Sequence, residues 1–146
     1  MIPSLTDSSK ALEASVLAIA TAKLGRVSGS RVLLQESLRF YSNGMWELQQ
    51  ALWNPKSMYN VDTLAACFAM LMYEVIECPN KTLDAMEAHR KGCARLVELR
   101  GPNSYTSDFS HELLLAFRIV EVRLSSFIPS LGIVKIRGAK LPFDVP

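Results

Sequence analysis

The 146-residue sequence has little of what would announce a familiar chemistry. Its three cysteines, Cys67, Cys78 and Cys93, lie 11 and 15 residues apart, and no Cys-x-x-Cys pair occurs. That spacing argues against a zinc ribbon and against a disulfide framework, so the three read as reduced, mostly buried thiols. An excess of one charge is also missing. Sixteen Lys and Arg against fourteen Asp and Glu leave a formal +2, too little to make nucleic acid or an anionic membrane the default partner. There is no Gly-rich phosphate loop, no Gly-x-Ser-x-Gly elbow and no complete His-Glu-x-x-His pattern, which removes the nucleotide-binding, hydrolase and zinc-protease readings. Long apolar runs are absent as well. Leu64 to Tyr73 supplies about half of the roughly 20 residues a membrane span requires, and Glu74 ends it. The N-terminus, from Met1 to Asp7, lacks the basic region of a secretory signal. The expectation is an intracellular chain of nucleus or cytoplasm, with no membrane span and no cofactor.

What is present is helical patterning in a chain that is 49% hydrophobic and 21% charged, a composition that excludes disorder. Five segments carry apolar residues at helical spacing, which predicts an all-α fold over residues 1–128. The first helix covers about Ser8 to Arg26, with Leu12, Val16, Ile19 and Lys23 on one side and Thr6 or Asp7 as N-cap. The second starts near Arg31, capped by Ser30, and carries a stripe of Leu34, Leu38, Tyr41, Met45, Leu48 and Leu52 until Asn54-Pro55 stops it. Gly44 inside it costs about 1 kcal/mol against Ala, which points to a close neighbour. The third, from Asn60 or Asp62, is apolar almost all round and is expected to be the most buried. The fourth, about Leu83 to Arg100 with Thr82 as N-cap, turns Met86, His89, Cys93, Leu96 and Val97 inward, has a Glu87–Lys91 pair outside, and stops at Arg100-Gly101-Pro102. The fifth starts near Ser107 or Ser110 and shows Leu113, Phe117, Val120, Leu124 and Phe127. Residues 129–146, punctuated by proline and glycine, are expected to form an irregular tail with one apolar-basic alternation, Ile133 to Arg137.

Six stretches in order and spacing carry a family likeness: Leu38-Arg39-Phe40-Tyr41, Glu47 to Leu52, Thr63 to Ala66, Leu71 to Val75, His89 to Val97, and Leu99-Arg100-Gly101-Pro102. Over roughly 110 residues the chain resembles the regulatory, or middle homology, region of fungal-specific transcription factors. The resemblance implies a helical-hairpin bundle from a filamentous fungus. The family's DNA reader is a six-cysteine binuclear zinc cluster with a basic linker, and three scattered cysteines do not make one. No direct nucleic-acid binding is therefore expected. The family's domain also continues well beyond five helices, so the chain reads as a truncated or stand-alone relative with an apolar face left uncovered.

The residues able to do chemistry gather around the turn between helices three and four. Folding one against the other brings Glu74 opposite Met86 and within a turn of His89, with Tyr73 beside them. A buried histidine with a carboxylate partner is ordinarily structural, and in a pocket the same Glu74, His89 and Tyr73 would be the catalytic, proton-moving groups. His89 and Cys93 share a face, yet two ligands do not make a metal site, and none is expected. Phe68, Met72, Met86, Arg100 and Arg118 are the candidate ligand-binding residues: an adaptable apolar lining and two cations, one at a helix end where it ordinarily meets carbonyls.

Two functions follow. One is regulatory, through sensing of a small molecule or binding of a full-length regulator. The other is a small-molecule-binding protein of fungal secondary metabolism, or a cofactor-independent isomerase or cyclase acting on an apolar substrate. A homodimer is expected in either case, through helix one or helix five as the outer elements, with Leu113, Phe117, Val120 and Leu124 as the main contributors.

Overall fold

Gly29 and Ser30 make the first reversal of the chain. Gly29 takes a left-handed φ of +67°, which lets the Ser30 amide donate to the Gly25 carbonyl at 2.9 Å and closes the preceding helix. The Ser30 hydroxyl then accepts from the Leu33 amide at 3.3 Å and caps the next. A two-residue link of this kind leaves its helices antiparallel. In the computed structural model, which describes residues 7–77, 83–101, 105 and 108–127, five helices follow in order: α1 (Asp7–Ser28), α2 (Arg31–Trp53), α3 (Val61–Glu77), α4 (Asp84–Arg100) and α5 (Asp108–Phe127). No strand occurs among the described residues, so the fold is all-α. Thr6, Cys78, Thr82, Pro102, Ser107 and the tail from Pro129 lie outside the described residues.

The α2–α3 turn is closed by its own side chains. Asn54 Oδ1 accepts from the Lys56 amide at 3.0 Å, Ser57 Oγ donates to the Ala51 carbonyl at 2.8 Å, and Thr63 Oγ1 donates to the Ser57 carbonyl at 2.7 Å. The last two hydroxyls are buried, and each has an acceptor, as burial requires.

The chain divides into two compact units, Met1–Arg90 and Lys91–Pro146. In the first, α1 packs on α2 and α3, and α2 packs on α3. The face that α1 turns inward differs from the expected one. Ala11, Ala14, Ser15, Ala18, Ala22 and Gly25 are buried, whereas Val16 and Lys23 are exposed. Small residues let helix axes approach closely, and bulky residues in that seam would hold them apart. The same rule acts on α2. Its buried residues are Ser37, Tyr41, Gly44, Leu48 and Ala51, while Leu38 and Met45 from the expected stripe lie outside. A Cβ on Gly44 would run into Met70 Cε and stand 3.4 Å from the Ser15 amide, so the close approach read from this glycine is present.

In α3, Leu64, Cys67, Met70, Leu71, Tyr73 and Glu74 are buried. Phe68 and Met72, expected to be equally buried, are half-buried instead. Val75 on the same side of α3 is half-buried as well, and Ile76 is exposed. At the far end, Arg26 Nε donates to both Glu77 oxygens at 2.9 Å and its Nη2 to Oε2 at 2.6 Å, tying α1 to α3. These hydrogen bonds raise the guanidinium pKa above its ordinary value. Glu87 accepts two hydrogen bonds of 2.7 Å from the buried Arg90.

In the second unit, Cys93, Ala94, Leu96 and Val97 of α4 and Leu114, Phe117 and Leu124 of α5 are buried. Of the four residues expected at a dimer contact, Phe117 and Leu124 are thus buried within the chain, and Leu113 and Val120 are half-buried. Gly101, at φ +76°, ends α4 with its amide donating to Glu98 at 3.1 Å. Cys67 and Cys93 are buried free thiols. No helix among the described residues is long and apolar enough to cross a membrane.

Candidate functional site

The first unit contains a closed polar cluster to which three helices contribute. α3 supplies Glu74, whose 2% exposure would leave a carboxylate costly to accommodate without donors. α2 supplies the donor: the Tyr41 hydroxyl donates to Glu74 Oε1. α4 supplies His89, whose Nε2 lies 3.2 Å from the same Tyr41 oxygen. A phenol has one proton. Since Tyr41 gives its proton to Glu74, hydrogen-bond accounting makes His89 Nε2–H the donor to Tyr41, an assignment of tautomer from the network.

Tyr73 joins from the neighbouring position of α3. Its ring stacks on Tyr41 with centroids 4.6 Å apart and 19° between planes, while His89 meets Tyr41 edge-on at 6.3 Å and 82°. The Ser37 hydroxyl donates to the Leu34 carbonyl at 2.6 Å. The 3.2 Å contact between Ser37 and Tyr73 oxygens is therefore a bond donated by the phenol. Burial, then the hydrogen bond to Glu74, pushes the Tyr41 pKa well above the usual phenol value. Burial also raises the Tyr73 phenol above its ordinary value. Both stay protonated at neutral pH, and the hydrogen bonds of the cluster run in sequence from His89 through Tyr41 to Glu74. Its half-buried end is His89.

The structure brings together the three residues expected to do chemistry, and adds Tyr41 and Ser37. Tyr41 was read from sequence as core. The overlooked signal was a tyrosine, not a phenylalanine, on the buried stripe of α2, since a buried phenol requires a partner.

The expected ligand-binding residues are divided between the two units. Met86 is buried on α4. Met72 precedes Glu74 by two positions, about 200° around a helix, so it and Phe68 face away from it. Arg100 and Arg118 belong to the second unit, both half-buried. The Arg100 guanidinium lies 5.4 Å from the Tyr105 ring centroid, a cation–π contact, and the Tyr105 hydroxyl donates to the Val97 carbonyl at 3.2 Å. Two surface hollows in the first unit lie elsewhere. One of about 520 Å³ is lined by Glu36, Leu38, Arg39, Phe40, Ser42 and Asn43, and one of about 240 Å³ lies between α1 and α2 at Lys10, Glu13, Leu17, Phe40 and Glu47. Among the described residues, no group of three or more His, Cys, Asp or Glu is placed to hold a metal ion.

Residues 1–127 match the family model for the fungal specific transcription factor domain. Comparison with curated proteins and with solved structures finds no match.

Proposed function

The chain belongs to the fungal specific transcription factor domain family, and from that membership we propose that it is a regulatory module acting through contact with a full-length regulator in the nucleus or cytoplasm. The match over residues 1–127 carries the reading. A six-cysteine cluster is missing from these 146 residues, so the role assigned is regulation without direct DNA reading. Ligand sensing fits the same role. The hollow between α1 and α2 is lined by the apolar Leu17 and Phe40 and the charged Lys10, Glu13 and Glu47, a mixture that suits a small amphipathic molecule. The test is a pull-down with full-length fungal regulators beside a transcriptional reporter. Capture together with altered reporter output is expected, and silence in both would remove the reading.

One observation favours a second reading. The hydrogen-bonded chain His89–Tyr41–Glu74 supplies groups of the kind that general acid–base chemistry in an isomerase or cyclase of secondary metabolism would use. Under that reading, deleting the gene stalls a pathway intermediate while transcript levels stay constant, and Tyr41→Phe or Glu74→Gln reproduces the block with helical circular dichroism intact.

A further inference from the structure

Helix α2 has a second face, turned away from the cluster. Leu38, Met45, Trp46 and Trp53 are 44, 43, 58 and 71% exposed, and Ser42 and Gln49 between them are exposed too. At about 100° per residue, all six fall within about 100° of one another around the helix. Both tryptophans of the chain are in this set. Tryptophan and methionine are enriched in protein interfaces, and tryptophan above all in their energetic centres.

The stripe is also self-complementary. Leu38 and Trp53 are equidistant from the peptide bond between Met45 and Trp46, and so are Ser42 and Gln49. An antiparallel copy of α2 on a twofold axis through that bond sets Met45 against the second copy's Trp46, Leu38 against its Trp53, and Ser42 against its Gln49. Apolar meets apolar and polar meets polar. None of the six is charged, so the axis brings no like charges together, which a twofold contact of one surface with itself requires. A receptacle lies at the right place. The hollow of about 520 Å³ opens beside Leu38, Arg39 and Ser42, where the second copy's Trp53 indole arrives. Arg39, held by Glu36 at 2.8 Å, sits at its rim, and a guanidinium there can stack on an indole.

We propose that this face of α2 is the surface of an antiparallel homodimer, with Trp53 of each copy seated in the hollow beside Leu38 and Arg39 of the other. The contact moves from α5, whose Phe117 and Leu124 are core residues, to α2. It does not depend on the regulatory reading, because it is measured on the purified chain alone.

Sedimentation at tens of micromolar should give twice the 16.2 kDa chain mass, and dilution should shift tryptophan emission to the red as both indoles enter water. Trp53→Asp should weaken association by at least about thirtyfold, the loss of an interface hot spot, with helical circular dichroism unchanged. Should that variant lose helix, the register is read instead by Ser42→Cys/Gln49→Cys, which on mild oxidation should give a covalent dimer that neither single substitution gives at comparable yield. A single-chain mass at every concentration would overturn the proposal and leave the face to an unrelated partner. A dimer unaffected by Trp53→Asp, or one that the paired cysteines fail to lock, would overturn it equally.

Discussion

The two faces of α2 invert the usual assignment of inside and outside. The buried face carries two hydroxyl-bearing residues, a glycine, an alanine and one leucine: Ser37, Tyr41, Gly44, Ala51 and Leu48. The exposed face carries a leucine, a methionine and two tryptophans. Helix α1 repeats the pattern, with alanines inside and Val16, Leu24 and Val27 outside. In these seams, close approach and hydrogen-bond satisfaction decide what is buried, and apolar size does not. Gly44 against Met70 and Tyr41 against Glu74 are the two forms of that rule.

The largest expected effect lies where size does rule. Leu71 is fully buried in α3, and Leu71→Ala should cost about 2–5 kcal/mol through lost transfer energy and a cavity. Denaturant unfolding reads it, and a loss under about 1 kcal/mol would place α3 outside the core.

A paired substitution sharpens the contrast on α1. Ala18→Leu adds apolar bulk to the buried seam and should destabilise by about 1–3 kcal/mol. Leu24→Ala removes bulk from the outer face and should stay within about 0.5 kcal/mol. If the two costs came out reversed, the seam would have been assigned to the wrong side of the helix.

A smaller effect comes from alkali. The Tyr41 and Tyr73 phenols have pKa values raised above 10.0, so the folded state holds these protons more tightly than the unfolded chain. Their contribution is fully present below pH 10 and is lost as pH rises through the folded values. Unfolding midpoints should fall across that alkaline range, and Tyr41→Phe should flatten the fall. An unchanged slope in Tyr41→Phe would show that its phenol does not sense burial.

The ends of the helices were legible in the sequence because they depend on local chemistry. Ser30, Asn54-Pro55 and Gly101 each mark a boundary by one conformation or one hydrogen bond, and each stands where it was read. Glu74 and His89 meet only through the Tyr41 hydroxyl, a mediator that the sequence reading of a direct pair did not supply. Faces were less legible. Apolar periodicity selected Val16 and Lys23 over the alanines of α1, and Leu38 and Met45 over Ser37 and Gly44, because it scores side-chain size where the packing selects smallness. Phe68 and Met72 were misjudged for a related reason. On a helix apolar all round, periodicity has no phase to report.

The central claim is that Tyr41 inside matters more to the fold than Trp53 outside, although Trp53 is far the larger apolar group. The direct test is equilibrium unfolding of Tyr41→Phe and Trp53→Ala side by side, at protein concentrations low enough to keep every chain monomeric. Removing the Tyr41 hydroxyl leaves the buried Glu74 carboxylate without that donor, and the account predicts a loss of about 1–3 kcal/mol. For Trp53→Ala it predicts a change within about 0.5 kcal/mol. A Trp53→Ala loss exceeding that of Tyr41→Phe would contradict it.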